Sequence, residues 1–315
     1  MASYKQIILK AWSLREKYID FTTTDVYRLV NSYGDGLPEV TIDVYGKNFL
    51  VQYFKPYEKH ERDEIYAVLK EFFKPETITE KIRLKDADVK TVVIAGLEAP
   101  RDFIVLENGI KFTVSFTEGG GTGLFPDQRG NRKKIQALAK SMEMLNCFSY
   151  TASFSVYASI GGACRTTNVD LSKKAIEWSK KNFLVNQLDI QDHEFITGDV
   201  WDWTKRFEKK GRMFDLIIMD PPSFSTSKTR VFSVERDFPE LIGCGLNILR
   251  DNGILVFSTN IAKMSFSRLF QVMPKIKHVS TKTYKIIDVA SQGLDFPVDG
   301  IYSREPYLKF IMLTC

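Results

Sequence analysis

The stretch Phe214-Asp215-Leu216-Ile217-Ile218-Met219-Asp220-Pro221-Pro222-Ser223-Phe224 decides how the rest of the chain is read. Residues 214–219 form a short apolar run, as expected of a strand covered on both faces. The run delivers Asp220, and two prolines stiffen the loop that follows. Their fixed φ and missing N–H groups leave carbonyl oxygens facing outward as acceptors. With an aromatic at Phe224, the loop has the means to grip an amine or ring nitrogen of a planar base and stack on its face. The alternative reading is a proline-rich turn after a buried strand.

Outward from this stretch, helical and apolar runs alternate from about Gln128 onward. Helix 131–142 leads to run 143–148, helix 151–160 to run 165–169, helix 172–186 to run 193–197, and helix 201–207 to run 214–219. Helix 235–249 and run 253–258 follow. Runs 282–289 and 307–313 have no helix between them and predict an antiparallel edge. The order predicts an α/β, Rossmann-like fold with a mostly parallel seven-stranded sheet. Residues 1–118 have a different pattern: a helix at 4–18, short β-like runs at 40–44, 49–53, 91–95, 103–106 and 110–116, and a helical stretch at 61–73. Asp35-Gly36 and Tyr45-Gly46 mark turns. These features predict a small α+β domain over 1–118 and a larger domain over 119–315. The cluster Gly119-Gly120-Gly121, with Gly123, is the candidate linker.

Composition sets outer limits. The 315 residues are 44% hydrophobic and 26% charged, which excludes wholesale disorder. A net charge of +5 permits a nucleic-acid partner without requiring one. The four cysteines (147, 164, 244, 315) include no C-x-x-C pair, and the three histidines are scattered, so no disulfide framework or metal site is expected. No apolar run reaches the length of a membrane span, and the N-terminus lacks the apolar stretch of a signal peptide. The expected setting is the reduced cytoplasm, away from membranes.

In a parallel sheet, ligands bind beyond the carboxyl ends of the strands, near the switch point. The first strand ends in Asn146-Cys147-Phe148-Ser149-Tyr150-Thr151-Ala152-Ser153, whose small and hydroxyl residues allow close backbone approach at a helix N-terminus. An ordinary capped turn would look the same. The second strand ends in Val169-Asp170, where an acid suits a ribose diol, although a helix-capping role competes and Ser172 is also placed for it. The third ends in Gly198-Asp199-Val200, whose acid suits an adenine amine. Two rim acids and no G-x-G-x-x-G favour a nucleoside cofactor without a pyrophosphate, hence S-adenosylmethionine over NAD.

These residues together resemble class I S-adenosylmethionine-dependent methyltransferases, and more closely the group that methylates large-subunit ribosomal RNA. The resemblance rests on Thr122-Gly123-Leu124-Phe125-Pro126-Asp127-Gln128-Arg129-Gly130-Asn131-Arg132, on Phe148-Ser149-Tyr150-Thr151, on Asn168-Val169-Asp170-Leu171-Ser172 and on Asp220–Lys228. The segments Tyr27-Arg28-Leu29, Gly36-Leu37-Pro38 and Asp43-Val44-Tyr45-Gly46 look like that group's small middle domain, so the likeness covers about 20–315. It implies that Phe125, Asp127, Gln128 and Arg129 close over the cofactor and that Phe148, Ser149, Tyr150 and Thr151 line its methionine part. It implies that Asp170 holds the ribose and Asp199 the adenine amine, with Leu171 and Val200 also among the cofactor-binding residues. Asp220, Pro221, Pro222, Phe224 and Asn260 would form the transfer site, with Asp220 also touching the cofactor. An arginine at 129 or 132 reads either as a partner of the cofactor carboxylate or as a solvated helix start.

Two departures from the group shape the expectation. Many relatives begin with an RNA-binding PUA domain, and this chain begins where that domain would end. RNA docking would then rest on the small domain, on Lys228 and Arg230, or on another partner. Relatives that make 5-methylcytosine carry a cysteine nucleophile at the end of the fifth strand, because the ring carbon is not nucleophilic unaided. Here that strand ends Phe257-Ser258-Thr259-Asn260, and Cys147, Cys164 and Cys244 read as buried packing. The expectation is therefore methylation of ribosomal RNA, free or in an assembling large subunit, at guanine N7. A cytosine, protein side-chain or small-molecule methyltransferase is the alternative, and a non-catalytic RNA-binding protein stands further off.

Overall fold

In the computed structural model, residues 2–84, 88–117, 121–222, 224–226, 231–261, 263–300 and 306–315 are described. The chain forms two compact units, Met1–Arg129 with Gly293–Glu305, and Gly130–Gln292 with Pro306–Cys315. The residues just past the expected boundary belong with the first unit for a local reason. Thr122 hydrogen-bonds the Tyr45 hydroxyl at 2.8 Å, and the Arg129 guanidinium pairs with Asp295 at 2.7 Å.

In the first unit, helix α1 (Tyr4–Arg15) starts at a Ser3–Gln6 capping box. Strands β1 (Val26–Asn31), β2 (Val40–Tyr45) and β3 (Asn48–Tyr53) form an antiparallel meander. Helix α2 (Lys59–Phe72) crosses back to β4 (Thr77–Ile82), which runs parallel to β3, and β5 (Lys90–Ala95) completes a five-stranded sheet. Ile8 and Ala11 of α1 pack with Ile65 and Leu69 of α2 against Ile42, Val44, Val51 and Ile78 of the sheet. A hairpin of β6 (Phe103–Glu107) and β7 (Ile110–Val114) turns at Asn108-Gly109, both with positive φ, the dipeptide that a type I′ turn favours. The expected helix ends three residues early because Arg15 is drawn inward. Its buried guanidinium forms a bidentate pair with Asp35 and also donates to the carbonyls of Ala11, Arg28 and Asp295.

In the second unit, α3 (Arg129–Leu138), β8 (Glu143–Cys147), α4 (Ser153–Ile160), β9 (Arg165–Asp170), α5 (Lys173–Val185), β10 (Glu194–Thr197), α6 (Val200–Lys209) and β11 (Phe214–Met219) alternate as the pattern predicts. A hairpin of β12 (Phe224–Thr226) and β13 (Val231–Ser233), absent from the sequence reading, precedes α7 (Val234–Asn247) and β14 (Leu249–Thr259). Helix α8 (Phe266–Val272), β15 (Lys285–Ala290) and β16 (Lys309–Thr314) end the unit. The strand order is β10-β9-β8-β11-β14-β16-β15. The first five strands are parallel, and β16 lies antiparallel between β14 and β15, the expected edge.

Side-chain alternation along β11 explains its unbroken apolar run. Leu216 and Ile218 pack with Ile135 of α3 and Phe154 and Ala158 of α4. Ile217 and Met219 pack with Trp201 and Phe207 of α6 and Leu241 and Leu246 of α7. Each such aliphatic side chain contributes on the order of 1.5–3 kcal/mol by leaving water. No described helix is long and apolar enough to cross a membrane.

Candidate functional site

Sheet register sets the level of the rim. Met219 lies opposite Cys147 and Phe257, Cys147 opposite Val169, and Thr197 opposite Asp170. Phe148, Asp170, Asp220 and Ser258 therefore emerge at one height across four adjacent strands, with Gly198-Asp199 just beyond on the fifth. The chain leaves β8 for β9 on one side and reaches β11 on the other, which puts the switch point at the end of β8.

The loop after β8 is strained. Phe148, Tyr150 and Ala152 have φ of +56°, +48° and +59°, a region that costs a non-glycine residue of order 1–3 kcal/mol. The surroundings hold it. Ser149 N–H donates to the Val169 carbonyl at 3.0 Å, and Tyr150 N–H to Asp170 Oδ2 at 2.9 Å. From α5, Ser179 Oγ donates to the Tyr150 carbonyl and Asn182 Nδ2 to the Thr151 carbonyl, both at 2.9 Å. Ser179 and Asn182 are fully buried polar residues within the apolar stripe of α5. Polar residues on that otherwise apolar stripe are the only trace of this role in the sequence.

Two features of this loop fit a polar ligand. The Ser149 hydroxyl is buried with no hydrogen-bond partner among the described residues, an arrangement that costs about 1–3 kcal/mol unless a ligand or water completes it. Helix α4 begins after left-handed Ala152 with no side-chain cap, so its first-turn N–H groups are available to an anion such as a carboxylate.

Asp170 anchors the next strand end. Its Oδ2 accepts from Tyr150 N–H and its Oδ1 from Ser172 N–H at 2.8 Å, each leaving lone-pair capacity for a diol. Burial raises its pKa above the ordinary carboxylate value, while the two backbone N–H groups oppose that rise. The helix cap of α5 is Ser172, whose hydroxyl accepts from Ala175 N–H, so Asp170 is not committed to capping. Asp199 caps α6, its Oδ1 accepting from Trp201 N–H at 2.8 Å. Leu171 is exposed and Val200 buried beside these acids.

On the central strands, Asp220 is half-buried, Pro221 buried and Pro222 exposed. Asn260 is exposed after β14. Phe224 opens β12, and nothing is described of its side chain. Lys228 and Arg230 lie outside the described residues. In the first unit, Phe125 is exposed, Asp127 half-buried and Gln128 buried around a short 3-10 turn.

Three expectations need correction. Arg129 is no solvated helix start: it pairs with the carboxylate of Asp295 and donates to the Val26 carbonyl at 3.2 Å. Arg132 is buried, its guanidinium 5.9 Å from the centre of the Tyr157 ring. Cys164 is exposed rather than packed, because it follows the Gly161-Gly162 turn into the amino end of β9, opposite the rim. Cys147 is buried as expected, and burial pushes its thiol pKa up.

A parallel sheet with a strained loop at its switch point and acids after the neighbouring strands defines a Rossmann-like enzyme built for a nucleoside-bearing cofactor. The chain matches the S-adenosylmethionine-dependent methyltransferase family over residues 83–296 and belongs to that family. It is 32% identical over 315 residues to ribosomal RNA large subunit methyltransferase I of Vibrio vulnificus (strain CMCP6), covering 98% of this chain and 79% of that one. It is 34% identical over 311 residues to the protein of the same name from Pseudoalteromonas atlantica (strain T6c / ATCC BAA-1087), covering 97% and 78%. The crystal structure of SMU.776 complexed with SAH superimposes with a TM-score of 0.91 at 35% identity, covering 99% of this chain and 81% of that one. The chain is an enzyme, and its cofactor is S-adenosylmethionine.

Proposed function

We propose that this enzyme methylates ribosomal RNA at N7 of a guanine. The RNA class is supported by the names of relatives aligned over nearly the whole chain. The choice of base is carried by one observation: no cysteine stands at the strand rim among the described residues. Strand β14 ends in Ser258 and Thr259, both buried, and exposed Asn260 follows it. The Cys147 thiol is buried in the core, Cys164 lies at the opposite end of the sheet, and Cys244 lies within α7. Covalent attack on a cytosine ring carbon therefore lacks its nucleophile. Guanine N7 has its own lone pair and no proton to lose, so positioning suffices.

S-adenosylmethionine, when bound, supplies an electrophilic methyl group on a sulfonium. The residues around it orient and hold. Asp170 would accept hydrogen bonds from the ribose hydroxyls, and Asp199 from the adenine amine. The buried Ser149 hydroxyl and the uncapped start of α4 take the polar end of the methionine part, with Phe148, Tyr150 and Thr151 lining it. Asp220 and the carbonyls around Pro221 and Pro222 accept from the exocyclic amine of the splayed-out base, and Asn260 fixes its edge.

Transfer of labelled methyl to unmodified ribosomal RNA, followed by nucleoside analysis, tests the reading. The expected product is 7-methylguanosine. Label in 5-methylcytidine would overturn the choice of base, and label confined to protein would overturn the RNA substrate.

A further inference from the structure

A second cleft opens on the same unit, away from the strand-end rim. It encloses about 490 Å³ between the edge strand β10 and helix α6. Ile196 lines the strand side and Trp203 and Phe207 the helix side, while Phe195 borders the cleft from the strand edge with its ring packed on Phe183 of α5. Among the described residues β10 pairs only with β9, so it is the edge of the sheet there. The floor is electrostatically closed. Arg212 donates to Glu143 and Glu194 at 3.0 and 2.8 Å and lies 5.2 Å from the centre of the Phe207 ring.

The rim is different. The Arg206 guanidinium lies 5.0 Å from the centre of the Trp203 ring, and Lys210 stands one turn further along. Lys205, Arg206, Lys209 and Lys210 are all exposed, and none forms an ion pair among the described residues. Cations at the end of a helix complement its dipole, which accounts for charge there. The dipole does not account for a half-buried indole, stacked on an arginine, beside open volume. Aromatic faces interleaved with unpaired cations are what a single-stranded nucleic acid requires: a stacking surface for the base and positive charge for its phosphates.

Only the Trp203 end of the cleft approaches the cofactor rim; Glu194, Lys210 and Arg212 lie toward the amino ends of the strands. The Trp203 indole packs so closely on Gly198 that a Cβ there would lie 2.3 Å from its Nε1, and Gly198 precedes Asp199. β10 is three strand spacings from β11, about 14 Å across the sheet. RNA whose target base enters at Asp220 would have to extend at least this far sideways to meet the Trp203 end of the cleft.

We propose that the β10–α6 cleft binds an unpaired nucleotide flanking the target. Its base would stack on Trp203 and Arg206, and its backbone would run along Lys210. This rests on the RNA reading above. It adds a docking surface independent of the 228–230 loop.

The test compares the full chain with Arg206→Glu plus Lys210→Glu and, separately, with Trp203→Phe. A fluorescent single-stranded oligoribonucleotide is titrated by anisotropy at several salt concentrations, and SAH affinity is measured alongside as a check on folding. The double variant is expected to bind RNA at least tenfold more weakly, with unchanged SAH affinity and a shallower salt dependence, by roughly 0.7 in log–log slope per lost phosphate contact. RNA is expected to quench tryptophan emission in the parent, and Trp203→Phe to remove that quenching. If the parent methylates RNA and both variants bind it as the parent does, the cleft is overturned while the RNA substrate stands. If the parent neither binds nor methylates RNA, both readings fall. If the double variant weakens binding but quenching survives in Trp203→Phe, the patch is electrostatic only and the stacking site is overturned.

Discussion

Asp170 is asked to be a carboxylate in a place that disfavours charge. Burial raises its pKa, and the N–H groups of Tyr150 and Ser172 recover part of that cost. Because the folded value lies above the unfolded one, its contribution to stability is fully present below the ordinary carboxylate value. That contribution is lost as pH rises through the raised folded value. Cofactor binding has the opposite sign, since a ribose diol needs the ionised acceptor. SAH affinity measured by calorimetry is expected to fall as pH drops into the acidic range, with its midpoint above that of an ordinary aspartate. Asp170→Asn is expected to weaken binding at least tenfold at neutral pH, about 1.4 kcal/mol, and to flatten the pH profile. A steep profile surviving in the variant would assign the titration to another group.

At the level of elements, the site depends on α5 as much as on the strands. Its apolar stripe of Ala175, Ile176, Trp178 and Phe183 packs the helix, while Ser179 and Asn182 on the same face hold the left-handed loop. Removing the Asn182 amide leaves the Thr151 carbonyl without that donor in a buried setting, a loss of roughly 1–3 kcal/mol. Asn182→Ala is therefore expected to shift the denaturation midpoint by that amount and to weaken SAH binding in parallel. Leu184→Ala, on the exposed face of the same helix, is expected to stay within about 0.5 kcal/mol. Equal effects from the two variants would remove the tether from the account. Elements of this kind were unevenly legible. The periods of β11 and the helices around it are strong because both sheet faces are covered. Strand β4 was missed because Thr79, Glu80 and Lys81 are polar residues that the fold nevertheless buries.

Across the whole molecule, the chain leaves the second unit after β15, contributes residues from 293 onward to the first, and returns for β16. Asp295 is the anchor of that excursion: its carboxylate takes Arg129 and the Arg28 N–H, and its carbonyl takes Arg15. β16 pairs with both β14 and β15, so β15 has no other place in the sheet. A chain ending at Gly300 is expected to lose the edge of the larger sheet together with Phe310, Ile311 and Met312 from both sides of its core. Circular dichroism and thermal melting should show loss of the cooperative transition. A retained sharp melt would mean that β16 is dispensable.

The sequence by itself determined the alternation of strands and helices, the parallel sheet with its antiparallel edge, and the acids at the strand ends. Those are local properties: hydrophobic period, turn chemistry and the position of a residue after an apolar run. It also determined which cysteines lie near which strands, which is why the absent nucleophile was readable. Only the tertiary structure decided which polar residues are buried and what they hold. The Ser149 hydroxyl has no partner among the described residues, Ser179 and Asn182 are tethers, and Arg129 and Arg132 are withdrawn from solvent, through partners far away in sequence or through packing that no local pattern encodes. The interleaving of the two units at 293–300 belongs to the same class, since a segment's allegiance is set by the charge and backbone groups it meets after the chain has folded.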